Sequence, residues 1–177
     1  LVDISKGRIE HYDGLLFDAA KSFNPCGEQA LEDGELCTLA ETAPTRTKNW
    51  LKSCEYATVY ASTVTLLPTH RPETNAVMLR NRRIGVSIMD VVGWMTEVGV
   101  TNLTRYLRDG YKHVRKINRW VNNEAGIPLA IRCTTLKPGG TVPRLFGVRS
   151  GWQWPTFGYT LRRVRVGATH PICKILK

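Results

Sequence analysis

A chain of 177 residues that is 42% hydrophobic is long enough to pack one ordinary domain, and no apolar run nears the ~20 residues that span a bilayer. Five cysteines, an odd number, with no export-type order at Leu1–Lys6, argue against a disulfide framework, make the cytoplasm the expected compartment and favour thiols that are buried or chemically used. The formal charge of +10 admits either a nucleic-acid surface or a site for polyanionic small molecules, and the basic residues around Arg80–Arg83, Lys112–Lys116 and Arg162–Arg165 form no single block.

In chain order, residues 1–22 are mixed and turn-rich and read as connecting structure. From Phe23 to Glu35, Pro25 and Gly27 rule out a helix interior, which leaves a loop presenting polar groups. Lys48 to Leu67 carries Trp50, Leu51, Cys54, Ala57, Tyr60, Ala61, Val64 and Leu67 at threes and fours, an apolar helical stripe that Pro68 ends. Arg83 to Met89 suits a buried strand, and a helix over 91–98 should stop near Gly99.

Thr101 or Asn102 is expected to cap a long helix reaching about Ala125, with Leu103, Tyr106, Leu107, Val114, Ile117 and Val121 inside, Gly110 interrupting it and Gly126 closing it. Leu129 to Thr135 reads as a further strand, followed by a Gly-rich turn, and Tyr159 to Val166 as an edge strand. Strands separated by helices favour an α/β fold with a parallel sheet and chemistry on the loops at strand ends.

The chemistry concentrates at Asn24-Pro25-Cys26-Gly27-Glu28, where an amide, a thiol and a carboxylate can converge; a cysteine in a turn is ordinarily a small hydrophobe, and these neighbours argue otherwise. Zinc is rejected, because the five cysteines form no C-x-x-C and the histidines no H-x₃₋₅-H pair. His11, His70, His113 and His170 are isolated and receive no role, and Trp152, Trp154 and Phe157 read as core or rim aromatics rather than base-stacking groups. Leu136-Lys137-Pro138-Gly139-Gly140-Thr141 is not a Walker A loop, since no Gly-Lys-Ser/Thr ends it.

The pentapeptide, with Cys37 eleven residues after Cys26, resembles the finger loop of ribonucleotide reductases, especially the cobalamin-dependent (class II) triphosphate reductases. Residues 60–67, 81–88 and 146–155 resemble the same family, so the likeness covers nearly the whole chain. It implies an α/β fold: roughly the second half of a ten-stranded α/β barrel, with residues 1–177 as a partial catalytic barrel domain, a central finger loop at 23–37 and a phosphate-binding loop at 135–142.

By the same resemblance Cys26 would be the thiyl radical that takes the 3′ hydrogen of the ribose, Glu28 the base for the 3′ hydroxyl and Asn24 a partner for the ribose hydroxyls. Cys37 would be one half of a redox-active disulfide whose other cysteine lies upstream, outside this chain. The loop of Pro138, Gly139, Gly140, Thr141 and Val142 would bind substrate phosphates, through the backbone amides from Gly139 to Val142 and a hydroxyl, with Lys137 adding charge. The resemblance further implies adenosylcobalamin as cofactor, a ribonucleoside triphosphate as substrate, thioredoxin or a similar dithiol as reductant and an allosteric deoxynucleotide bound elsewhere.

With no initiator Met and no tapering tail, the chain is expected to be an inactive piece of a longer protein. Two other readings stand beside this one. The first is the large chain of a diphosphate reductase whose radical comes from a separate metal subunit; the second is a basic nucleic-acid-binding module, which leaves the pattern from Asn24 to Cys37 unexplained.

Overall fold

A computed structural model of the chain describes residues 18–154, 157–159, 161, 163 and 165–175. Two-residue strands β1 (Ser22–Phe23) and β2 (Ala30–Leu31) pair antiparallel and close a loop between them. β3 (Leu39–Thr42) pairs parallel with β4 (Gly85–Ile88), joining Leu39 to Gly85 and Thr42 to Ile88. The parallel arrangement expected for an α/β fold is therefore present, and the connection from β3 to β4 runs through two helices, α1 (Trp50–Val64) and α2 (Pro72–Asn81).

Asn49 caps α1 by accepting from the Lys52 amide, and the buried face of the helix is Cys54, Ala57, Thr58, Ala61 and Ser62. The expected stripe is shifted: Leu51, Tyr60 and Leu67 are exposed, because small and hydroxylic side chains make the close contact with the sheet and the next helices. α2, unmarked by any apolar period, begins at Pro72 and ends in the left-handed residue Arg82 (φ 46°), which turns the chain into β4. All four residues of β4 are buried, as expected for a strand covered on both faces.

After β4 come α3 (Val91–Val98), capped by Asp90, and α4 (Val100–Glu124). The cap expected at Thr101 or Asn102 is not used: Gly99, with φ 77°, separates the two helices without a side-chain cap. Gly110 does not interrupt α4 either. It is buried where a β-carbon would lie 2.2 Å from Cη2 of Trp50, so its bare Cα is what lets α4 meet α1. Gly126 (φ 65°) follows the helix end as read from the sequence.

The strand expected at 129–135 is reduced to one parallel bridge, Val86 to Thr134, flanked by Ile84 N–H donating to Arg132 (3.0 Å) and Val86 N–H to Cys133 (2.9 Å). Its first half is drawn away from the sheet, because the Ala130 amide donates to Asn118 Oδ1 (3.2 Å) and the Ile131 amide to the Asn81 carbonyl (3.0 Å). One core cluster joins Cys54, Ala61, Ile84, Val86, Val114 and Cys133 beneath α1 and α4; a second joins Ile88, Val91, Trp94 and Leu103, with Trp152 against it.

Short helices α5 (Val142–Leu145) and α6 (Ile172–Ile175) complete the described structure. Residues 1–17 of the expected connecting segment, with His11, lie outside the described residues, as do Thr160, Arg162 and Val164 of the expected edge strand; its described residues are not in a strand.

Candidate functional site

The loop between β1 and β2 is held by its own backbone and by one side chain. The Asn24 amide donates to Gln29 O (3.0 Å), the Gly27 amide to Asn24 O (2.9 Å), and the Gln29 amide to Asn24 Oδ1 (3.0 Å). Asn24 Nδ2 then donates to Cys37 Sγ at 3.2 Å, so one buried amide ties the turn to the thiol beyond β2. Cys26 sits exposed at the tip beside Gly27, whose φ of 76° suits glycine and whose surroundings are open, with nothing within 4 Å of a β-carbon position.

Both carboxylate oxygens of Glu28 are buried without a hydrogen-bond partner among the described residues, which is costly for a polar group unless something else satisfies it. Cys37 is exposed as a residue, but partial desolvation of its sulfur pushes the thiol above its ordinary value; the Asn24 hydrogen bond and Lys137 pull it back, while Glu28 and Cys26 add to the rise. Asn24, through its hydrogen bond, and the charges of Glu28, Cys26 and, from far along the chain, Lys137 all act on the Cys37 thiol. Cys54 is different: burial pushes its thiol to about 12 and it is 2% exposed, an inert core group.

Lys137 is not a solvated turn lysine. Its Nζ pairs with Glu41 of β3 at 2.9 Å, and its amide donates to Ser87 Oγ (2.9 Å). The loop it opens packs tightly: a β-carbon on Gly139 (φ 62°) would meet Glu41 Oε1 at 2.8 Å, and one on Gly151 would meet the Lys137 carbonyl at 2.1 Å. Among the described residues the amides of Gly139, Gly140, Thr141 and Val142 donate to no backbone carbonyl. Beside this loop a cleft of about 600 Å³ is lined by Glu41, Arg46, Tyr56, Tyr60, Lys137 and Val142.

Contacts invisible in the sequence join the two loops. Thr135 Oγ1 donates to the Glu28 carbonyl, and Gly85 leaves room for Leu39, Thr135 and Gln29, whose atoms would lie 2.4, 2.8 and 3.2 Å from a β-carbon there. The basic run Arg80–Arg83 is not an open basic surface: Arg82 and Arg83 are buried and Arg80 pairs with Glu32. Buried Arg83 instead meets Asp18 and Glu35, a cluster for which the only sequence signal is a charged residue abutting the apolar run Ile84–Ile88.

No protein-family model matches the chain. Curated proteins do. A probable adenosylcobalamin-dependent ribonucleoside-triphosphate reductase of Dictyostelium discoideum is 40% identical over 146 residues, covering 81% of this chain and 19% of that protein. The Euglena gracilis adenosylcobalamin-dependent ribonucleoside-triphosphate reductase is 36% identical over 156 residues, 86% of this chain and 21% of that protein. The chain is a relative of the adenosylcobalamin-dependent ribonucleoside-triphosphate reductases.

It spans about a fifth of the length of those two reductases. The fold agrees: a crystal structure of a B12-dependent (class II) ribonucleotide reductase superposes with a TM-score of 0.71 at 25% identity, covering 75% of this chain and 23% of that one. Among the described residues no three His, Cys, Asp or Glu side chains gather as metal ligands, and no helix is long and apolar enough to cross a membrane.

Proposed function

We propose that this chain is the finger-loop portion of a class II ribonucleotide reductase, an enzyme that converts ribonucleoside triphosphates to 2′-deoxyribonucleoside triphosphates for DNA synthesis. The observation that carries the proposal is the buried carboxylate of Glu28 without a partner, on the same short loop as an exposed thiol and beside a second, amide-bonded thiol. A vicinal diol supplies the hydroxyl that such a carboxylate lacks.

Cys26, as a thiyl radical, takes the 3′ hydrogen of the ribose and forms S–H. Glu28 accepts the 3′ hydroxyl proton, and Asn24 orients the hydroxyls. Cys37 and a second cysteine supply two electrons and two protons and become a disulfide: one proton leaves with the 2′ hydroxyl as water and the other becomes the new 2′ hydrogen, after which the 3′ hydrogen returns from Cys26 and Glu28 gives its proton back to the 3′ oxygen. The loop Pro138, Gly139, Gly140, Thr141 and Val142 holds the phosphates through the free amides of Gly139 to Val142 and the Thr141 hydroxyl; Pro138, which has no N–H, sets the turn, while Lys137 and Glu41 brace the loop.

The exposed thiol and the open space at Gly27 fit the approach of a bulky cofactor, with Pro25, Cys26 and Gly27 as the face toward it. Adenosylcobalamin, when bound, supplies the unpaired electron, and it brings its own cobalt, so no protein metal cluster is needed. Around this core we place a ten-stranded α/β barrel to which β3, β4 and the bridge at Thr134 contribute, thioredoxin or a similar dithiol that reduces the disulfide, an allosteric deoxynucleotide bound elsewhere, and a cytoplasmic setting.

The test is deoxynucleotide formation by the full-length reductase against its Cys26→Ser and Glu28→Gln variants. Cys26→Ser is expected to abolish product, and Glu28→Gln to cut kcat by about 10²–10⁴-fold, the usual contribution of a general base. Full activity in Cys26→Ser contradicts the proposal.

A further inference from the structure

We infer that Arg83 is a positioning residue for the finger loop, a guanidinium clamp that holds both stems of the loop so that Cys26 and Glu28 stay in register. The inference rests on the reading of Cys26 as the hydrogen-abstracting thiol, and it concerns residues that lie outside the reacting groups.

The geometry is specific. Arg83 Nη2 and Nη1 donate to the two oxygens of Asp18 at 2.7 and 3.2 Å, and Arg83 Nε donates to Glu35 Oε1 at 3.0 Å. Asp18 lies four residues before β1 and Glu35 two residues before Cys37, so one planar fork grips the chain on each side of the loop. The side chains of Arg83, Asp18 and Glu35 are all 1% exposed or less. A guanidinium suits this task and an ammonium does not, because its donors diverge in fixed directions.

The remaining valences are filled as well. Glu35 Oε2 accepts from the Glu32 amide at 2.8 Å, Glu35 Oε1 from Asn81 Nδ2 at 3.0 Å, and Asp18 pairs with Arg132 at 3.1 Å. Two carboxylates thus face two guanidinium groups, and the cluster carries no net charge. Arg83 itself is fixed by the sheet, since the next residue donates its amide to Arg132 O at 3.0 Å. The two-residue strands β1 and β2 cannot hold the loop alone, because so short an antiparallel pair is marginal by itself.

The experiment compares the full-length protein with Arg83→Lys and with the charge-balanced pair Glu35→Gln plus Arg83→Met, which keeps the fold viable by leaving Asp18 to Arg132. Amide hydrogen exchange is followed in residues 22–38 and, as an internal control, in α1 and α4; nucleotide kcat and KM are measured in parallel. The clamp predicts that the double variant exchanges its finger-loop amides at least about tenfold faster while α1 and α4 keep their protection. It also predicts that kcat falls with KM unchanged and that Arg83→Lys lies between. Unchanged loop exchange overturns it, and so does equal acceleration in α1 and α4, which marks an ordinary core ion pair. If the wild-type protein makes no deoxynucleotide, the reductase reading fails by itself, and the exchange data still decide the clamp.

Discussion

Replacing Gly110 by alanine sets two effects against each other. In a solvent-facing helix the change stabilises by about 1 kcal/mol, the ordinary difference in helix propensity. In α4 the new methyl group would lie 2.2, 2.8 and 2.9 Å from Cη2, Cζ3 and Cζ2 of Trp50. That indole cannot simply swing aside: its Nε1 donates to Thr42 Oγ1 at 3.2 Å, and its ring meets Trp94 edge-on at 4.7 Å, which in turn stacks on Tyr106 at 5.3 Å. Overpacking of this kind costs about 1–3 kcal/mol, and straining the Trp50 hydrogen bond adds about 1 kcal/mol. The expected net is a loss of about 1–3 kcal/mol.

For a domain of this size that loss lowers Tm by roughly 2–12 °C, read by near-ultraviolet circular dichroism, which follows the tryptophans directly. Combining Gly110→Ala with Trp50→Leu removes the obstruction, so within that background the alanine should be neutral or stabilising. A single Gly110→Ala variant that is more stable than the parent refutes the reasoning, because propensity would then outweigh the contact.

Further outcomes follow from the site. Asn24→Ala removes the amide that pulls the Cys37 thiol down, so alkylation of Cys37 at pH 8, followed by mass spectrometry, should slow, with its pH midpoint moving further up. Cys54 should resist the same reagent throughout, since its thiol is buried and pushed up to about 12. Gly85→Ala should displace Gln29 and Thr135 beneath the loop and lower kcat with the nucleotide KM little changed, as steady-state kinetics would reveal. Burial alone would raise Asp18, but the Arg83 hydrogen bond and the charges of Arg83 and Arg132 outweigh it and hold the carboxyl below its ordinary value. Its stabilising contribution is therefore complete above the unfolded value near 3.9 and is lost as pH falls through the depressed folded value, so acid unfolding of Asp18→Asn should lose part of the wild-type slope below about pH 4.

The candidate site was legible in the sequence because it is local: Asn24, Cys26, Glu28 and Cys37 sit within one hairpin and its exit, and the hairpin is short enough that sequence neighbours remain spatial neighbours. β4 and α3 were legible for the same reason, through continuous apolar runs. The clamp was not, because Arg83, Asp18 and Glu35 meet only after α1 and α2 have carried the chain away and back, and a buried arginine looks like a surface one until its partners are known. Gly110 misled because glycine inside a helical period usually marks weakness, and only the position of Trp50 gives it a packing role. The strand at 129–135 was overread, since its apolar residues are held by Asn118 and Asn81 side-chain and backbone groups rather than by the sheet.

The measurement that bears most directly on the account is deoxynucleotide formation by the full-length protein with CTP or ATP and a dithiol, with and without adenosylcobalamin. Product is expected only with the cofactor, and none from Cys26→Ser. Product without cobalamin that depends on a separate metal-containing subunit contradicts the class II assignment, and no product under either condition contradicts the reductase itself.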